Sequence, residues 1–157
     1  MAVPEDVRPA NPDFDLFSSP FYLMAHADHK YHEDLDIAIA KFGLGRTVYR
    51  ILTVLTQRNP MNIRDLSSFA LIKRSTVSRA VTRMRKEGWV ETSVNAEDSR
   101  TVDVRLTSQG QELTQRVMQL ATRQLERALD GLEEDEVQRL IGSLQKVVAN
   151  LSRLPIE

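Results

Sequence analysis

The sequence has no cysteine at any of its 157 positions. That excludes disulfides, thiolate zinc sites and cysteine redox sensing, and it fits the cytoplasmic location expected here. Long apolar runs are also missing: none approaches the roughly 18 to 20 residues that span a bilayer, so no membrane partner is expected. The opening "MAVPEDVRPANPDFD" has no basic segment followed by an apolar one, so it does not read as a signal peptide. Glycine-rich phosphate loops, nucleophile elbows and metalloprotease motifs are absent, so neither an enzyme nor a cofactor is expected.

An apolar share of 41% and a charged share of 27% suffice for one globular module with a core. The distribution of charge is less ordinary than its total. From Arg58 to Lys86 stand eight basic residues and one acid, Asp65, giving +7; the remainder carries −8 in a chain of net charge −1. Such polarity suits a basic face for a polyanion, although a solvated helix face produces the same count.

Helical spacing governs most of the chain. A first helix is expected between about Asp15 and Phe42, starting or kinking near Pro20 and ending at "GLG". A second follows through "RTVYRILTVLTQ", with Val48, Ile51, Leu52 and Leu55 on one face. Asn62 caps a short third helix that turns Leu66, Phe69 and Ala70 inward, and Ser75 is the expected cap of a fourth, which Gly88 stops. Two short alternating runs, "WVETSVN" and "VDVRLT", flank a charged tip and predict a hairpin, with Trp89 in the core. Thr107 then caps a long helix, Gly131 breaks it, and a last helix carries Val137, Leu140, Ile141, Leu144, Val147, Val148 and Leu151.

The expected fold is therefore mainly α (α+β): a winged helix–turn–helix with a two-stranded wing, flanked by N- and C-terminal dimerisation helices. The divisions are a loosely ordered arm over 1–14, a dimerisation helix over 15–43, the winged domain over 44–106 and C-terminal dimerisation helices over 107–157. The flanking helices are too long and too apolar to pack on the small centre alone, so a two-fold homodimer is the simplest partner.

Two stretches, "LSSFALIKRSTVSRAVTRMRKEGWVE" and "EDSRTVDVRLTSQGQEL", resemble the MarR family of bacterial transcription regulators. The family pattern places an Asp-x-Arg at the wing tip, a β-branched strand, then Leu-Thr-x-x-Gly opening the long helix. These match Asp98, Arg100, Val104, Leu106, Thr107 and Gly110. The resemblance extends over roughly residues 15–152, with Ser67 where Ala is common and Trp89 where Leu is frequent. It implies a repressor on a pseudo-palindromic double-stranded DNA operator.

The helical wheel assigns the basic stretch. Val77, Ala80, Val81 and Met84 define the buried face, and Ser75, Arg79, Thr82, Arg83 and Lys86 the opposite one, flanked by Thr76 and Ser78. An Arg can grip both acceptors of a guanine edge, so Arg79 and Arg83, with Ser75, Thr76 and Ser78, are the candidate base readers, while Lys86 and Arg64 suit phosphate. Lys73, Arg74 and Arg85 are poorer readers. The resemblance implies that Arg100 enters a minor groove while Asp98 orients it.

Many members of the resembled family respond to anionic aromatic compounds, which implies a small anionic effector, an aromatic acid or its coenzyme A thioester. Tyr22, His29, Arg46, Tyr49 and Arg50 are the candidate contacts. His26, His29 and His32 at i, i+3, i+6 spread over ~120° of a helix, so they cannot easily hold one ion, and no metal ligand is assigned. A metal-responsive regulator of the same fold, or a winged-helix interaction module that binds no DNA, are the alternatives.

Overall fold

The computed structural model describes residues 3–152. Residues 1–2 and 153–157, which fall in the expected arm and the expected last segment, lie outside the described residues. The chain divides into two units, one reaching Gln124 and the other starting at Leu125.

In the first unit, two 3-10 turns, Glu5–Val7 and Leu16–Ser18, precede helix α1, Pro20–Ala40. Pro20 sits at the first helical position, where no backbone N–H is required, so it opens the helix instead of kinking it. Helix α2, Arg46–Gln57, buries Val48, Tyr49, Ile51, Leu52 and Leu55 against Leu35 and Ile39 of α1 and the helices that follow.

Strand β1, Met61–Asn62, leads into helix α3, Ile63–Ala70, whose first turn is capped by Asn62: its Oδ1 accepts the Asp65 N–H at 2.9 Å. Leu66 and Ala70 are buried, but Phe69 is not inward as expected; it is 61% exposed. At ~100° per residue it lies about 80° from the centre of the Leu66–Ala70 stripe, at the edge of the buried face.

Helix α4 spans Arg74–Lys86 and buries Val77, Val81 and Met84. Its cap also departs from expectation: Lys73, not Ser75, holds the N-cap position. The Lys73 carbonyl accepts the N–H groups of Thr76 and Val77 at 2.9 and 3.0 Å, so Ser75 and Arg74 fall within the first turn. Gly88, at φ +75°, reverses the chain, and Trp89 is in the core.

Strands β2, Val90–Val94, and β3, Val102–Leu106, form the hairpin, with Thr92 opposite Val104. The wing has the two strands expected, and β1 joins them in a three-stranded sheet of order β1-β3-β2: Met61 pairs with Val104 and Asn62 with Asp103. Helix α5, Ser108–Ala128, begins where the Gly110 N–H donates to Thr107 Oγ1 at 3.0 Å, while that hydroxyl donates to the Gly88 carbonyl at 2.6 Å. Within the first unit, Val117 and Ala121 of α5 join the core.

The second unit contains helix α6, Glu134–Leu151, opened by a capping box in which Glu133 and Glu136 satisfy each other's backbone N–H groups. No residue of α6 is buried, and Leu140, Ile141, Val148 and Leu151 are exposed.

Candidate DNA-binding surface and ligand cavity

The outward face of α4 carries the residues that the helical wheel selects. Ser75, Arg79, Thr82, Arg83 and Lys86 are exposed, with Thr76 and Ser78 half-buried beside them. Ser78 Oγ donates to the Arg74 carbonyl and Thr82 Oγ1 to the Ser78 carbonyl, each at 3.0 Å. Their hydroxyl oxygens are left as outward acceptors, held in one rotamer. Arg79 Nε makes only a long 3.4 Å contact to the Ser75 carbonyl, leaving its fork open. Arg83 is engaged elsewhere: its Nη2 donates to the Gly43 carbonyl at 2.9 Å. Arg85 is also exposed but turns toward the sheet, donating to Thr92 Oγ1 at 3.3 Å.

The wing tip is built by its own side chains. Asn95 Oδ1 accepts the N–H groups of Glu97 and Asp98, both at 2.9 Å, and its Nδ2 donates to the Asp103 carboxylate at 3.0 and 2.8 Å. Asp98 in turn accepts the backbone N–H of Arg100 and its Nε, both at Oδ1 and 3.0 Å. Those hydrogen bonds from the Arg100 side chain and backbone, helped by the Arg64 charge, hold the Asp98 carboxyl below its ordinary range. The Arg100 side chain is 89% exposed. The wing thus offers a guanidinium to solvent on a turn already ordered. Arg64, near the start of α3, is exposed and lies 3.7 Å from Asp65.

Of the five expected effector contacts, the structure brings two together. Tyr49 and Arg50 line a cavity of about 220 Å³ with His32, Thr53, Val54, Phe69, Ala70 and Leu71. A second cavity of about 350 Å³ shares Thr53, Val54 and Phe69 and adds Gln57, Arg58 and Met61. The other three residues are placed differently. Arg46 is spent on Asp36, with Nη2 and Nε at 2.6 and 3.0 Å from Oδ2. Tyr22 sits between Phe17, which meets it edge-on, and His26, which is tilted to it, at centroid distances of 5.5 and 5.7 Å. His29 is exposed. The histidines do not converge: His26 packs on Tyr22, whereas the buried His32 has Nδ1 at 2.9 Å from the Asp28 carbonyl and 3.1 Å from its carboxylate. Among the described residues, no three His, Cys, Asp or Glu are grouped to hold a metal ion.

A family model described as MarR family matches residues 44–102. The HTH-type transcriptional repressor IacR of Pseudomonas putida is 32% identical over 146 residues, covering 93% of this chain and 87% of that protein. The chain belongs to the MarR family. The crystal structure of a MarR-family transcriptional regulator from Silicibacter pomeroyi is similar at a TM-score of 0.83 and 26% identity, over 92% of this chain and 97% of that one. A MarR variant of Escherichia coli complexed with operator DNA has the same fold, at a TM-score of 0.70 and 23% identity, over 80% of this chain and 90% of that one.

Several residues that shape this MarR-family regulator's site escape sequence reasoning. Asn95 ties the wing together through contacts to Asp98 and Asp103, although its place before a charged tip was a usable turn signal. His32 and Phe69 line the cavity because α1, α2 and α3 meet there, a three-body arrangement with no local signature. The Arg83–Gly43 contact joins residues 40 apart.

Proposed function

We propose that this MarR-family transcriptional regulator is a homodimeric repressor that binds a pseudo-palindromic operator and releases it when a small anionic effector binds. The observation that carries the reading is the pairing of an exposed cationic face on α4 with a guanidinium presented by a self-ordered wing. Arg79, with Ser75, Thr76 and Ser78, reads bases in the major groove, with Arg83 and Thr82 on the same face. Lys86 and Arg64 contact phosphate. Arg100, oriented by Asp98, enters the adjacent minor groove.

Dimer formation is supported by apolar surface left uncovered within each unit: Phe21, Leu23 and Ile37 on α1, and Leu140, Ile141, Val148 and Leu151 on α6. A second copy is the partner whose surfaces match these by symmetry. Residues 15–43 and the described part of 107–157, up to residue 152, supply the dimerisation helices, and 44–106 the DNA-binding domain.

The effector, an aromatic acid or its coenzyme A thioester, enters the cavity lined by Tyr49 and Arg50, with Phe69 and Val54 as apolar walls. Arg50 suits a carboxylate by its planar fork. Release requires the ligand to prefer a spacing of the two winged domains that the operator does not accept.

A gel-shift series on genomic fragments over a range of salt tests the reading. Arg79→Ala and Arg100→Ala are expected to weaken the specific complex, and Arg85→Ala chiefly to reduce the salt slope. Full affinity in both of the first two variants, with an intact dimer, contradicts it. A thermal-shift screen of phenolic acids and acyl-CoA compounds tests the effector: none raising the melting temperature or freeing DNA removes that part.

A further inference from the structure

Arg83 lies on the face of α4 that the wheel turns to DNA, yet its guanidinium is engaged by the protein. Nη2 donates at 2.9 Å to the carbonyl of Gly43, in the loop joining α1 to α2. The loop presents that carbonyl because Gly43 takes φ +71°, a left-handed turn that a side chain would oppose. Both ends of the loop are themselves held. Asp36 of α1 grips Arg46 of α2 through two guanidinium nitrogens, and buried Leu44 roots the loop in the core. The recognition helix is therefore linked by a charge-assisted hydrogen bond to a braced corner at the end of α1.

We propose that Arg83 is a positioning residue: its bond to the Gly43 carbonyl fixes α4 relative to α1 and so sets the half-site spacing that the regulator accepts. This rests on the reading of α4 as the DNA-reading helix and α1 as a dimerisation helix. In a dimer, the two recognition helices are placed by the path from α1 through the loop to α4. Half-sites lie about 34 to 36 Å apart along the duplex, and one inserted base pair shifts a half-site by about 3.4 Å and rotates it around the axis. A guanidinium has five N–H donors, so a bond to Gly43 leaves the others able to meet phosphate. Arg83 thus works from both sides, with one donor on the protein frame and the rest toward the duplex.

The test uses full-length protein and a duplex selected by the wild type from a randomised pool, together with versions carrying one extra central base pair or a single intact half-site. Wild type should discriminate sharply between native and lengthened spacing. In Arg83→Met that ratio should fall by about tenfold, the weight of one hydrogen bond to a charged group. Asp36→Asn, which loosens the brace without touching the DNA-facing surface, should lower the ratio in the same direction and leave half-site affinity unchanged. If Arg83→Met weakens every duplex by one common factor, Arg83 is only a DNA contact and the positioning role is wrong. Should a thermal melt show that Arg83→Met is unfolded, an unchanged ratio in Asp36→Asn overturns the role instead. If wild type selects no duplex at all, the DNA-binding reading itself fails, an outcome separate from an unchanged ratio.

Discussion

The backbone of Gly110, in the first turn of α5, lies directly against the carbonyl of Trp89, so that a Cβ at position 110 would overlap that oxygen. Three neighbouring bonds lock the approach. Thr107 N–H donates to the same Trp89 carbonyl at 3.1 Å, Thr107 Oγ1 donates to Gly88, and Gly110 N–H donates to Thr107 Oγ1. The obstacle is backbone and cannot swing away. Gly110→Ala should therefore cost about 1 to 3 kcal/mol, the usual range for overpacking a fixed site. Urea unfolding reads this as a lower midpoint with an unchanged slope. Wild-type stability in the alanine variant would mean that the start of α5 gives way easily.

At the wing, Asp98 accepts three hydrogen bonds from Arg100, one from its backbone and two from its guanidinium, and the two residues should not be equivalent in their effects. Arg100→Ala removes the group proposed to enter the minor groove and should weaken operator binding by about 1 to 3 kcal/mol. Asp98→Asn keeps an acceptor of the same shape but loses the charge, so its effect should be smaller. The pH dependence follows from the depressed carboxyl. A group whose folded pKa lies below its unfolded value is fully ionised above that unfolded value and loses its contribution only as pH falls through the folded pKa. Between pH 5.5 and 7.5 the pair stays charged, and the Arg100→Ala deficit, measured by gel shift, should be constant across that window. A deficit that vanishes by pH 5.5 would show that Asp98 does not set the wing.

How legible each feature was in the sequence tracks how local its cause is. Asn62 capping Asp65 and Thr107 capping Gly110 each join residues three apart, and both were readable; the Asp98–Arg100 pair, two apart, was implied by the family resemblance. The buried stripe Val77, Val81 and Met84 was equally plain, since periodicity needs only one helix. What escaped depends on chain segments meeting. Strand β1 has two residues, too few to alternate, and exists because Val104 and Asp103 lie beside it. The cap of α4 moved from Ser75 to Lys73 because the Lys73 carbonyl, not a side chain, begins the helical ladder. In the cavity, His29 is the histidine expected from the sequence, but it is exposed, and His32 is the one that lines the cavity beside residues of α2 and α3.

Phe69 and Leu66 provide a paired test of the cavity. They stand three residues apart on α3, yet Leu66 is fully buried and Phe69 is 61% exposed over both cavities. Leu66→Ala should destabilise the fold by about 2 to 5 kcal/mol, as deletions of buried side chains do. Phe69→Ala removes little buried area, so its stability should stay within about 0.5 kcal/mol of wild type. It should nonetheless diminish the thermal shift produced by any aromatic acid that stabilises the wild type. A large loss of stability in Phe69→Ala would place the ring in the core after all.

Tyr31 offers a test at the alkaline end. Its hydroxyl donates to the Ala121 carbonyl at 3.4 Å, joining α1 to α5 within the first unit. Burial first, then the charge and hydrogen bond of Tyr49, push its phenol from an ordinary 10.0 up to about 12. The native state therefore holds this proton more tightly than the unfolded chain does. Its contribution is fully present below pH 10 and is lost as pH rises toward 12. Wild type should lose stability across that interval more steeply than Tyr31→Phe, which has no phenol to ionise. Denaturant midpoints at pH 8, 10 and 11.5 measure the difference, since other tyrosines and lysines titrate in both proteins and cancel in the comparison. Parallel curves would show that the Tyr31 phenol ionises as easily in the folded protein as in the unfolded chain. A gap between the two curves that is constant below pH 10 and changes only as pH rises toward 12 would tie the difference to this proton, because the Tyr31–Ala121 bond exists only while the phenol keeps it.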